Sequence, residues 1–220
     1  MTESGPADVI RRLCVACVDL LDVSGAGVSL MTDGAGGGIV AASGDLAFQV
    51  EEWQFSLGEG PCKDAYHGGR PIIVGDVAGD RSGRVAYWPV FADLIRQAGI
   101  KAIFAFPLQV TGATVGVLDL FRDLPGLLSS EQVGVASAFA DLAGTLLPSV
   151  LSGHAEGIGD DPGYRLEVHQ ATGMVSGQLG VSVSEALLRL RARAFGDGRT
   201  VSELAADVIA RLVRFDKEDR

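Results

Sequence analysis

Apolar residues recur at three- and four-residue spacings over residues 6 to 21, where Val9, Ile10, Leu13, Cys17, Leu20 and Leu21 form one stripe. Arg11, Arg12 and Asp19 take the other faces, so the stretch predicts an amphipathic helix. Two β-type runs follow, 26 to 32 and 38 to 42, separated by Asp33-Gly34-Ala35-Gly36-Gly37, a hairpin signal with a loop longer than the minimum. A helical pattern over 46 to 53 is broken by two glycines and a proline before a short helix, and Pro71-Ile72-Ile73-Val74 reads as a short strand. Residues 87 to 98 predict a helix ended by Gly99. Residues 100 to 110 and 114 to 121 predict a strand pair joined through Thr111-Gly112. Ile103, Ala105 and Pro107 alternate there with Phe104, Phe106 and Leu108, so both faces are apolar, as in central strands covered on each side. Pro107 lacks a donor and predicts a bulge or a pairing end. A helix opening at Ser129 or Ser130 runs to about Leu151, apolar at Val133, Ala136, Ala140, Ala143, Leu147 and Val150. Its Gly134, Ala138 and Gly144 would let another helix approach closely, including one from a second copy of the chain.

The period then changes. Residues 152 to 161, rich in glycine and acidic groups, read as a hinge, and Asp161-Pro162 pairs a capping residue with the residue suited to a first helical position. Val168, Ala171, Val175 and Leu179 repeat at helical spacing up to Gly180. Ser182 and Glu185 form a capping-box pattern for a second helix ending at Gly196, and Thr200 and Glu203 repeat the device for a third. In the second, Ala186, Leu190 and Ala194 make the apolar stripe; in the third, Val201, Leu204, Val208 and Leu212 are expected to face inward. The fold class is therefore α+β with a small all-α unit attached: one antiparallel sheet flanked by helices over 1–151, a linker at 152–161, and three helices over 162–220.

Charge separates the two units. Residues 1 to 159 carry 9 Lys+Arg against 18 Asp+Glu and residues 160 to 220 carry 9 against 10, which together give the net charge of −10. The acidic front unit repels polyanions, so a nucleic-acid or anionic partner has to meet the tail, where Arg189, Arg191, Arg193 and Arg199 lie close together. Three cysteines with no apolar leader point to a reducing cytoplasm without disulfides. No apolar run is long enough to span a membrane. Cys14 and Cys17 form a C-x-x-C inside the first helix with no partner ligands in the sequence, so they read as packing residues and no metal site is assigned.

No nucleophile, base and orienting group can be assembled from the sequence, and an enzyme is not expected. Gly58 to Gly60 lack the Lys-Ser/Thr ending of a phosphate-binding loop and read as a tight turn. His67, beside Gly68 and Gly69, reads as a solvent-facing loop residue, and Cys62 as a packing residue or, if a helix N-terminus stabilises its thiolate, a redox sensor. On the second C-terminal helix Arg189 and Arg193 stack at i, i+4 while Arg191 points away from both; guanidiniums of this kind fork onto phosphates and stack on unpaired bases. Glycine inside a helix costs about 1 kcal/mol relative to alanine, so Gly173 implies close approach by a backbone or a nucleotide.

The string Gly58-Glu59-Gly60-Pro61-Cys62, then Phe106-Pro107-Leu108, Gly112 and Val115-Gly116-Val117-Leu118-Asp119-Leu120-Phe121 with the closing helix, resembles a GAF domain over roughly 6 to 150. That resemblance implies a sensory module with a pocket on one face of an antiparallel sheet, with Cys62, Phe104 and Phe106 as candidate pocket residues for a small-molecule ligand of unspecified kind; no cofactor is identified. Ala171-x-Gly173, Glu185-Ala186, Leu190-Arg191-x-x-Ala194 and Leu204-x-x-x-Val208 resemble an ANTAR domain over about 162 to 213. That family binds tandem RNA hairpins and prevents transcription termination, commonly as dimers. The resemblance implies RNA contacts from Thr172, Gly173, Arg189, Arg191, Arg193, Arg199 and Thr200, and a homodimer through the helix at 130–151 and the C-terminal helices. Thr172 departs from the basic residue often found at its position. The alternative is a ligand-sensing DNA-binding helix-turn-helix regulator, against which the third helix opens with the acidic, short-chained Val201-Ser202-Glu203.

Overall fold

The computed structural model describes residues 6–31, 37–156 and 166–216. The N-terminal unit runs α1 (Pro6–Leu21), β1 (Gly25–Met31), β2 (Gly37–Ala42), α2 (Asp45–Leu57), α3 (Pro61–Gly68), β3 (Ile72–Val74), α4 (Pro89–Gln97), β4 (Ala102–Val110), β5 (Ala113–Arg122) and α5 (Ser130–Glu156). Its five strands pair antiparallel in the order β2-β1-β5-β4-β3, which leaves β4 and β5 with neighbours on both sides. The period-2 alternation then sorts side chains to two cores. Phe104, Phe106, Leu108, Leu118 and Leu120 face α1 and α5, together with Cys14, Cys17, Ala136, Ala140, Ala143 and Leu147. Ile103, Ala105, Val117 and Phe121 face α2, α3 and α4, together with Val50, Cys62, Trp88 and Phe91.

Pro107 pairs opposite Val117, and the register slips immediately after it, between Leu108 and Gln109, so the missing donor falls beside a bulge as its chemistry requires. The helix expected over 87 to 98 is shorter, because Pro89 occupies its first turn and Val85–Tyr87 form a separate 3-10 turn. Three positions of the motif around Gly58 have structural roles. Gly58 caps α2 in the left-handed conformation, Glu59 Oε1 accepts from Phe91 N at 2.7 Å in the first turn of α4, and Pro61 opens α3.

On α5 Gly144 lies against Gln109 O of β4, where an added Cβ would stand 3.4 Å away, while Gly134 and Ala138 are exposed and a Cβ on Gly134 would meet nothing. Helix α5 runs to Glu156, five residues into the segment read as a hinge, since extending an existing helix past one glycine is cheap compared with nucleating one. The helix start expected at Asp161-Pro162 lies outside the described residues.

The C-terminal unit is α6 (Leu166–Leu179), α7 (Val183–Gly196) and α8 (Val201–Ile209). Val168, Ala171, Val175, Leu179, Ala186, Leu190, Ala194, Val201, Leu204 and Val208 form its core as the spacing predicts. Ser182 Oγ accepts from Glu185 N, and at Thr200 and Glu203 the capping box closes from both sides. One inward assignment is corrected. Leu212 is 76% exposed, because α8 stops at Ile209 and Arg211 turns the chain at φ 61°. Phe215 enters the core in its place, its N–H held by Gln178 Oε1 at 2.9 Å. Among the described residues no helix is long and apolar enough to cross a membrane.

Candidate functional site

A cavity of about 300 Å³ lies between β1, β2, α2 and α3 on one side and α7 on the other. Ser29, Met31, Glu51, Gln54, Cys62 and Tyr66 line it from the N-terminal unit, and Ser184, Leu187 and Arg191 from α7. The sheet places the floor. Side chains of β1 alternate, so Ser29 and Met31 face this side while Val28 and Leu30 belong to the opposite core; the same alternation on β5 brings Asp119 to this side. Helix α2 then lays Glu51 across β1, where the Ser29 hydroxyl donates to Glu51 Oε2. Gln54 Oε1 accepts from Cys62 N at 2.9 Å and so fixes the start of α3 against the end of α2.

The floor is buried and polar. Glu51, Cys62 and Asp119 are 2%, 3% and 1% exposed, and one oxygen of each carboxylate and the Cys62 Sγ all lie within 4.8 Å of one another. The Asp119 carboxylate has the Cys62 thiol, the Glu51 carboxyl and the Gln54 amide as its polar neighbours, none of them in well-formed hydrogen-bond geometry. Burial first, and then the neighbouring Glu51 carboxyl, pushes the Asp119 pKa well above the usual carboxylate range. Burial first, and then the charge of Asp119 and Glu51, pushes the Cys62 thiol well above its ordinary value. Cys62 does sit in the first turn of α3, yet desolvation and two acidic neighbours outweigh the helix dipole and favour the protonated thiol.

The mouth is formed differently. Arg191 Cζ stands 5.1 Å from the ring centroid of Phe55 on α2, within cation–π range. A Cβ on Gly58 would come within 3.0 Å of Arg191 Nη1, so the guanidinium passes close to the backbone there. Phe55 also packs against the C-terminal core, and Val201 N approaches Ser56 Oγ at 3.5 Å. The end of α2 is thus where the two units meet.

The residues expected from the sequence divide accordingly. Of the three candidates for the ligand pocket, Cys62 lines the cavity, but Phe104 and Phe106 are buried on the opposite face of the sheet against α1 and α5, because their strand positions have the other parity. His67 belongs to α3, not to a loop; its Nδ1 lies 2.8 Å from Lys63 O, and its exposed ring is at the cavity rim. Arg189 pairs with Glu185 at 2.9 Å, Arg199 with Asp207 at 2.8 Å, and Arg193 lies over the Phe215 ring with Asp197 at 3.7 Å. Arg191 alone of these four is turned onto the N-terminal unit.

Thr172 is fully buried and its hydroxyl donates to Val168 O, so in this conformation it presents nothing to RNA; Thr200 is engaged as a helix cap. Gly173 is exposed and a Cβ there would meet nothing, so no packing within the chain demands a glycine. Sequence reasoning missed Glu51 and Asp119 as site residues. The available signal was an aspartate inside an otherwise apolar central strand.

Residues 3–147 match the family model described as the GAF domain, which is more than half of the chain. The chain belongs to the GAF domain family. Solved structures agree on the fold. A domain of a putative two-component sensor histidine kinase from Sinorhizobium meliloti is 22% identical over 68% of this chain and 95% of that one, with a TM-score of 0.52. The GAF domain of a phosphoenolpyruvate-protein phosphotransferase from Coxiella burnetii is 13% identical over 70% and 89%, with a TM-score of 0.53. A GAF domain of Synechocystis in its photoproduct state is 16% identical over 67% and 98%, also at 0.53. No curated protein matches. Membership in the family gives the N-terminal unit a signal-sensing role.

Proposed function

We propose that the protein is a signal-responsive RNA-binding regulator that prevents transcription termination, with the GAF domain as sensor and an ANTAR-like C-terminal unit that binds tandem RNA hairpins. The observation that supports this most is that α7, the helix carrying the arginines, supplies Ser184, Leu187 and Arg191 to the wall of the GAF cavity. A ligand in that cavity touches the output helix directly, so it has a differential interaction with the docked and undocked states, which coupling requires.

In the docked state Arg191 is spent on Phe55 and Gly58. Filling the cavity displaces α7 and exposes Arg191, so that a second face of the helix becomes cationic beside the one that carries Arg189 and Arg193. The ion pairs of Arg189, Arg193 and Arg199 are partly exposed, and exposed pairs contribute about 0–1 kcal/mol, so phosphates can replace the carboxylates. Two chains joined through α5 and the C-terminal helices would present two such surfaces to two hairpins, and native mass spectrometry reports that stoichiometry.

The direct test is titration of the full chain with a two-hairpin leader RNA at low salt. Replacing Arg191 and Arg193 together with alanine is expected to abolish retention and flatten the salt dependence, since fewer counterions are released. Binding to duplex DNA in preference to the RNA would instead support the helix-turn-helix regulator.

A further inference from the structure

The floor of the GAF cavity brings together three groups of the kinds that ligate metal ions. A thiol and two carboxyls converge within 4.8 Å while all three residues are buried, and the polar neighbours of the Asp119 carboxylate are the Cys62 thiol, the Glu51 carboxyl and the Gln54 amide, none of them in well-formed hydrogen-bond geometry. A buried carboxylate left in that condition is costly unless a proton or a cation meets it. One proton supplies one hydrogen bond; a divalent ion placed among the three groups engages all of them.

We propose that Glu51, Cys62 and Asp119 bind one divalent transition-metal ion of the zinc class. Thiolate together with carboxylate selects such an ion over calcium or magnesium, which take oxygen ligands. With metal–sulfur near 2.3 Å and metal–oxygen near 2.1 Å, donors in a tetrahedral shell stand roughly 3.5 Å apart. The three groups therefore close by at most about 1.3 Å, within the reach of side-chain rotation at Glu51 and Asp119.

Their supports are in place. The Ser29 hydroxyl holds Glu51, and Gln54 holds the backbone at Cys62. Opposite, β1 carries Gly27, where a Cβ would crowd Glu51 Cγ at 2.8 Å, so the strand keeps the space in which the carboxylate sits. Glu51 and Cys62 line the cavity, so the fourth coordination position faces it and takes water or a donor atom of a ligand entering there. Binding displaces two protons to solvent, that of the Cys62 thiol and the one Asp119 holds in the metal-free protein, and leaves a thiolate and two carboxylates on the metal. The inference concerns the GAF domain alone and does not depend on RNA binding.

The test uses tag-free full-length protein, stripped with a chelator and titrated with Co²⁺ alone. The expected result is one Co²⁺ per chain, a near-ultraviolet thiolate-to-cobalt charge-transfer band with intense visible bands of a four-coordinate ion, and displacement by Zn²⁺. Cys62→Ser abolishes the charge-transfer band, whereas Cys14→Ser with Cys17→Ser leaves it intact. Glu51→Gln and Asp119→Asn each weaken Co²⁺ binding by about tenfold or more. Folded wild-type protein that shows no charge-transfer band overturns the proposal, as does a band surviving Cys62→Ser. Unchanged affinity in folded Asp119→Asn, a variant that removes charge without removing volume, overturns it as well.

Discussion

At the scale of residues, Asp119 carries the clearest thermodynamic signature. Its pKa is raised by burial and by Glu51, so the native state holds a proton that the unfolded chain releases above about pH 3.9. The stabilisation from that proton is complete below the unfolded pKa and is lost as pH rises through the folded one, so the metal-free protein loses stability from this group toward alkaline pH. Asp119→Asn, neutral at every pH, is therefore expected to raise Tm by about 3 °C or more at pH 8 and to change it little near pH 4; equal shifts at both would contradict the assignment. Cys62 is expected to resist alkylation at pH 7 in the native protein and to react once denatured, because burial keeps its thiol protonated. Gly173 separates stability from binding. Since a Cβ meets nothing there, Gly173→Ala should stabilise α6 by about 1 kcal/mol, and a loss of RNA affinity in that more stable variant would place the glycine at the RNA.

Elements were legible wherever one period dominated. The 3.6-residue stripes of α6 and α7 and the alternation in β4 and β5 predict their buried residues, because each of these elements faces one core or is covered on both sides, whereas on α1 Ile10, Leu13, Cys17 and Leu21 are buried but Val9 and Leu20, at the edges of the stripe, are exposed. Helix ends were legible where a side chain caps, as at Ser182 and Thr200. Thr200→Ala opens the reciprocal box and is expected to cost about 1 kcal/mol, readable as a lower unfolding midpoint of the C-terminal helices. Leu212 shows the limit: a left-handed Arg211 is not marked by residue type, so the periodic extrapolation runs one turn too far and Phe215 goes unnoticed. Glu51 and Gln54 show another. A polar face on α2 ordinarily means solvent, yet here it covers the sheet, because Ser29 and Asp119 on the strands beneath are themselves polar.

For the molecule as a whole, the cavity could not be read from the chain because its walls come from four elements of one unit and a helix of the other. Neither the floor, with positions 51, 62 and 119, nor the mouth, with positions 55, 58 and 191, leaves a spacing in sequence. The GAF fold fixes the sensor, and the packing of α7 on the end of α2 gives the sensor and the C-terminal unit a shared surface. On this account the docked arrangement withholds Arg191 from RNA, so breaking the contact should do what a ligand does. Phe55→Ala removes the ring under the guanidinium without altering any arginine. The most direct measurement is fluorescence anisotropy of a labelled two-hairpin leader RNA against wild-type and Phe55→Ala protein across a salt series. The account predicts affinity about tenfold or more higher for Phe55→Ala, with a slope of log K against log salt steeper by about one for the added phosphate contact. Equal affinity and equal slope in the two proteins would contradict it.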